Sequence, residues 1–154
     1  MKSKNIYLVL VLALTMGVLT SCETVPEQPP SPPPTPEEIA AEKSAEALQQ
    51  GIALYERGDF ELAIRILSTT NWIWDAPSPV ATKVEAHKYM AFSYCVTNRE
   101  EQCQEQFEHA LRLDKDFILS EAERGHPLWW RTYLLAYYIV EGKKRVNADL
   151  ESSS

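Results

Sequence analysis

The chain has 154 residues, room for one modest domain plus appendages. Its formal charge of −7 argues against nucleic acid or an anionic bilayer surface as a ligand, and suits basic or polar protein partners. Three cysteines and three histidines are too few and too scattered to define a metal-binding or catalytic protein by composition alone.

The first twenty-one residues read as an address. Lys2 and Lys4 precede an apolar run of fourteen, Ile6 to Leu19, short for a membrane span and right for the core of an export signal. The run ends in Leu19-Thr20-Ser21-Cys22, which resembles a bacterial lipobox. That resemblance implies cleavage before Cys22, diacylglycerol on its sulfur and an acylated N-terminus, hence a signal peptide over 1–21 and a membrane anchor that does not span. An ordinary signal peptide, or an uncleaved anchor with Cys22 incidental, is the competing reading. Glu23 rather than Asp follows the cysteine, which by the sorting pattern of enteric-type bacteria favours the outer membrane.

Residues 22–36 carry seven prolines and almost nothing apolar, so the expectation is a polyproline-II or disordered tether. Its length of about 40 Å would hold a domain off the membrane. A docking site for a proline-binding module is the sharper alternative.

The helical domain is expected over 37–146. Thr35-Pro36-Glu37-Glu38 places a hydroxyl cap, a first-turn proline and two carboxylates at a helix start. The helix should run from Pro36 to Arg57, break at Gly58-Asp59 and return over Phe60 to Leu67. An irregular connector, Asn71 to Pro79, carries Trp72 and Trp74, expected to fold back over the groove between hairpins, with an exposed binding patch as the alternative. Ser78-Pro79 starts the next helix. Val84, His87, Met90, Ala91, Tyr94 and Cys95 then mark one helical face. After the polar break at Thr97-Asn98-Arg99, Cys103, Phe107, Ala110, Leu111 and Leu113 mark its return partner.

These two helix–turn–helix units, forty residues apart, resemble the tetratricopeptide repeat. Gly51, Gly58-Asp59-Phe60 and Ala63 match its pattern in the first copy. Ala91, Tyr94, Phe107, Ala110-Leu111 and Leu113-Asp114 match in the second. Cys103 replaces a small alanine there, Asn98 the turn glycine and Lys115 the terminal proline. The resemblance implies an all-α fold: two hairpins plus a C-terminal capping helix in a short α-solenoid, presenting a groove for a protein partner. Gln50, Tyr55, His87 and Tyr94 are the expected groove residues.

Beyond Phe117, Ile118 to Trp129 (ILSEAERGHPLW) is similar to the F-x-L-S-x-x-E-x-G-H-P-x-W ending of small bacterial lipoproteins. Ser120 is expected to cap a short helix and Gly125 to stop it. Pro127 opens a last helix, apolar nearly all round, to Glu141, closed by Gly142-Lys143-Lys144-Arg145. Residues 147–154 are expected to be a disordered tail. Taken together, the chain resembles the TssQ-type lipoproteins associated with type VI secretion, departing at Trp130, where that pattern has glycine. The resemblance implies a partner in a secretion or envelope complex; a pilotin-like factor for another outer-membrane secretion or pilus assembly is the alternative.

Cys95 and Cys103 are eight apart, one near a helix end and one early in its antiparallel partner, close enough for a disulfide in an oxidising compartment. Two small buried residues at helix-approach slots, or a metal site with His87 or His109, are the alternatives, though the spacing matches no zinc signature. His126 lies in a Gly-His-Pro turn, where a conformational role is expected. No phosphate loop, nucleophile elbow or HExxH occurs. The expectation is a non-enzyme with no cofactor, no metal, no nucleic acid and no small-molecule substrate.

Overall fold

The computed structural model describes residues 32–75 and 77–152, with side chains described through Gly142. The expected signal, Cys22 and the tether up to residue 31 lie outside the described residues, as do 153 and 154. The described residues are all-α and helical repeat-like, without a strand. Six helices follow in order: α1 Pro36–Glu56, α2 Phe60–Thr69, α3 Asn71–Trp74, α4 Val80–Val96, α5 Glu100–Leu113 and α6 Trp130–Ser152.

α1 begins where its capping box predicts. The Thr35 hydroxyl accepts from the Glu38 amide at 3.2 Å, and the Thr35 amide donates to the Glu38 carboxylate at 2.7 Å. Ala40, Ser44, Ala47, Leu48, Gly51 and Leu54 form its buried stripe. At Gly51 a side chain is excluded, because an added Cβ would lie 2.3 Å from Cδ2 of the fully buried Leu67 on α2. This close approach fixes the first hairpin.

The second hairpin repeats the first at forty-residue spacing down to its turn hydrogen bonds. The Gly58 amide donates to the Tyr55 carbonyl and the Asp59 amide to Leu54, each at 2.9 Å. The Asn98 amide donates to Cys95 at 3.2 Å and the Arg99 amide to Tyr94 at 2.9 Å. Gly58 (φ 83°) and Asn98 (φ 59°) are both left-handed, and asparagine is among the few side chains that tolerate that region. Ala63 and Cys103 occupy matching, fully buried slots, as do Leu67 and Phe107. Cys95 and Cys103 are joined by a disulfide, with Cα atoms 5.2 Å apart.

α1 packs on α2, both pack on α4, α4 on α5, and α5 on α6, while the short α3 lies mainly against α1. One core cluster, with Leu48, Leu67, Ile73 and Met90, sits between the first hairpin and α4. The other, with Phe92, Phe107, Leu119, Trp129 and Tyr133, sits between the second hairpin and α6. Aromatic side chains bury about 150–250 Å² each, so Phe92, Phe107, Trp129 and Tyr133 dominate the second cluster.

Several local expectations need correction. The connector is not wholly irregular: Asn71–Trp74 forms the short helix α3, and Ile73 is fully buried there. Of its tryptophans only Trp74 folds back, donating from Nε1 to the Leu67 carbonyl at 2.8 Å, while Trp72 stays exposed. The next helix does start directly after Ser78-Pro79, with Pro79 at the cap, and among the described residues the buried Ser78 hydroxyl has no hydrogen-bond partner. Ser120 to Gly125 forms a turn rather than a helix, with the Glu123 and Arg124 amides both donating to the Ser120 carbonyl at 3.0 Å. The last helix starts at Trp130 and passes through Gly142 to Ser152, so its backbone continues into the stretch read as a tail. Glycine costs a helix interior only about 1 kcal/mol, too little to end one by itself.

Candidate functional site

Three elements meet on one face: the last turn of α1, the middle of α4 and the 120–129 turn. Tyr55 on α1 stands edge-on to Tyr89 on α4 at 5.4 Å between ring centroids, and 6.0 Å from Phe92. Phe92 in turn lies 4.3 Å from Trp129, and Trp129 stacks on His126 at 3.5 Å. The aromatic row thus runs across all three elements, with Phe92 and Trp129 buried beneath and Tyr55 and Tyr89 half-exposed above.

Lys88 ties the same face together. It is only 8% exposed, a position at which an ammonium must be paired. Its Nζ lies 2.9 Å from Glu85 and 3.0 Å from Glu123, and 5.0 Å from the Tyr89 ring centre. Burial alone would depress the Lys88 pKa, but the hydrogen bonds to Glu85 and Glu123 outweigh it and the pKa is raised. Burial likewise pushes Glu123 up, yet its hydrogen bond from the Ser120 amide (2.8 Å) and its pairing with Lys88 bring it below the usual carboxylate range. Glu123 therefore fastens the turn to α4 with its side chain, and its carbonyl accepts from Trp129 Nε1 at 3.0 Å.

Tyr55 and Tyr89 are both raised above the ordinary tyrosine pKa, chiefly by burial. The field of Glu123 adds to this at both rings, and that of Glu85 and Glu56 at Tyr89. Both hydroxyls stay protonated and can donate to a ligand. Carboxylates outnumber the single ammonium on this face, so the arrangement is acidic and aromatic. Chemically it can bind a cationic or hydrogen-bond-accepting segment; ring faces and carboxylates both attract Lys and Arg.

The four residues expected to line a groove are not gathered there. Tyr55 is on this face, and Gln50 is an exposed residue farther up α1. His87 turns away, toward α3 and α5. It bonds Gln106 at 2.8 Å, stacks on His109 at 5.1 Å and lies 4.7 Å from Trp74. Tyr94 packs under the Arg99 guanidinium at 4.6 Å, at the hairpin turn. Burial, with a smaller effect of His109, holds the His87 pKa down at about 4 despite the opposing Gln106 bond, so the ring is neutral at pH 7 and serves packing.

Sequence reasoning passed over Glu85, Lys88, Tyr89 and Glu123. One signal was present: Lys88 falls between Val84 and Ala91 on the apolar stripe of α4, where a charge demands a partner. Among the described residues no group of three or more His, Cys, Asp and Glu is placed to hold a metal ion. His126 is part of the turn itself, its Nδ1 accepting from the Leu128 amide at 3.3 Å. No family model, curated protein or solved structure matches the chain.

Proposed function

We propose that the chain is a lipid-anchored, periplasm-facing adaptor that acts by protein–protein binding, with tetratricopeptide-like hairpins as its docking scaffold. The observation that carries this reading is the acidic, aromatic face of Tyr55, Glu56, Glu85 and Tyr89, built across two stacked hairpins on a buried base. Helical repeats use such surfaces between neighbouring units to hold extended segments of other proteins. Its partner is a basic or polar segment of an envelope protein. The Leu19–Cys22 motif, the proline-rich stretch and the GHPLW ending make a type VI secretion complex the preferred setting, with the chain held at the outer membrane.

A pull-down from detergent-solubilised membranes tests the binding role. The full chain should retain a specific protein, and Glu56→Lys, a charge reversal at an exposed position, should reduce that retention about tenfold or more. Retention of only peptidoglycan or a small molecule would sink the adaptor reading.

A further inference from the structure

α6 has two faces of unlike fate. Tyr133, Ala136 and Val140 are buried against the second hairpin, and the Tyr133 hydroxyl donates to the Phe117 carbonyl at 3.1 Å. On the outward side, Leu128 in the lead-in turn and Arg131, Leu135 and Tyr138 on the helix follow at spacings of three, four and three. This is the seam along which two helices pack side by side. Leu128 is 49% exposed, Leu135 50% and Tyr138 69%, and the neighbouring Ile118 is 71% exposed. Together with Tyr137 they leave roughly 500 Å² of apolar side chain in water, at the upper end of what a monomer ordinarily shows.

We propose that this face is a two-fold interface at which a second copy of the chain lays its own α6 antiparallel, centred near Leu135. Three observations favour a second copy over an unrelated helix. First, knob and hole lie on the same helix in the right register. A recess of about 260 Å³ opens beside Trp130, Leu134, Tyr137 and Ile118, and antiparallel pairing about Leu135 brings the partner's Tyr138 opposite it. Secondly, the same register sets the Arg131 guanidinium against the Tyr138 ring of the second copy. Arg131 then finds a cation–π partner twice over, by symmetry. Thirdly, the area fits. A standard interface buries about 800 Å² per partner, some 60% of it apolar, which is what this patch supplies.

Light scattering on the purified full chain in a mild non-ionic detergent tests the assignment. A dimer is expected at micromolar concentration. Leu135→Glu should give a monomer of unchanged helicity, since Leu135 is half-exposed, and Tyr138→Ala should raise the dissociation constant about tenfold or more. Leu135→Cys, at the two-fold, should form an oxidised cross-linked dimer, whereas Gln49→Cys on the exposed side of α1 should not. A chain that stays monomeric overturns the proposal and hands the face to a different protein. A dimer that survives Leu135→Glu, or that Leu135→Cys fails to cross-link, overturns it as well.

Discussion

Packed against Trp74 and His109, the His87 ring has a pKa of about 4 in the folded chain, against an ordinary 6.5, with burial as the main cause. As pH falls through 6.5 the unfolded chain takes up a proton at this site, and the folded chain does not until about pH 4. The unfolded state therefore binds more protons across that window, and stability declines as pH falls, by about 3 kcal/mol at full extent. Urea midpoints measured between pH 7 and pH 4.5 should drop for the parent chain and flatten for His87→Gln; equal slopes would refute the assignment. Lys88 behaves in the opposite sense. Its raised pKa makes its contribution complete at neutral pH and lost only as pH rises through the folded-state value.

At the scale of the element, the second hairpin is closed by Cys95–Cys103 across an eight-residue separation. So short a loop contributes about 2.5 kcal/mol in the chain-entropy model. Reduction with dithiothreitol should lower the urea midpoint accordingly without loss of helicity, and an unchanged midpoint would show that the bridge adds nothing. Much of the hairpin architecture was legible in the sequence, because its signals are local. Thr35 with Glu38, Gly58 and Asn98 at matching turns, and the stripes through Ala63 and Cys103 each act within a few residues. The ends of elements were less legible. Ser120 is a good capping residue, and Glu123 accepts from its amide as at a helix start, yet Gly125 (φ 76°) ends the stretch after a single turn. Pro127 lies in a turn over 127–129, and the helix proper begins at Trp130, whose amide donates to the His126 carbonyl at 3.0 Å.

For the whole molecule, the candidate site depends on how three segments distant in sequence come together, and periodicity within one helix cannot supply that. Tyr55 and Tyr89 are thirty-four residues apart, and Glu123 lies thirty-five beyond Lys88. His87 and Tyr94 share one face by spacing, but the rotation of α4 turns one to α5 and the other to the hairpin turn. The proposed anchor is separable from this architecture. No helix among the described residues is long and apolar enough to cross a membrane. If the proposed lipid is the anchor, a Cys22→Ser variant should lose membrane association while keeping its helical signal, and unchanged fractionation would refute lipid anchoring.

The neighbour-on-neighbour packing of the helices also has a kinetic consequence. A chain whose contacts are mostly short in sequence folds fast, since little loop entropy is spent before contacts form. The first hairpin can close while the second is still being made, and Cys95 meets Cys103 as soon as one turn is set. Loops of this length close in roughly 10–100 ns. The pairing thus needs no search among distant thiols, and oxidation captures a hairpin already in register.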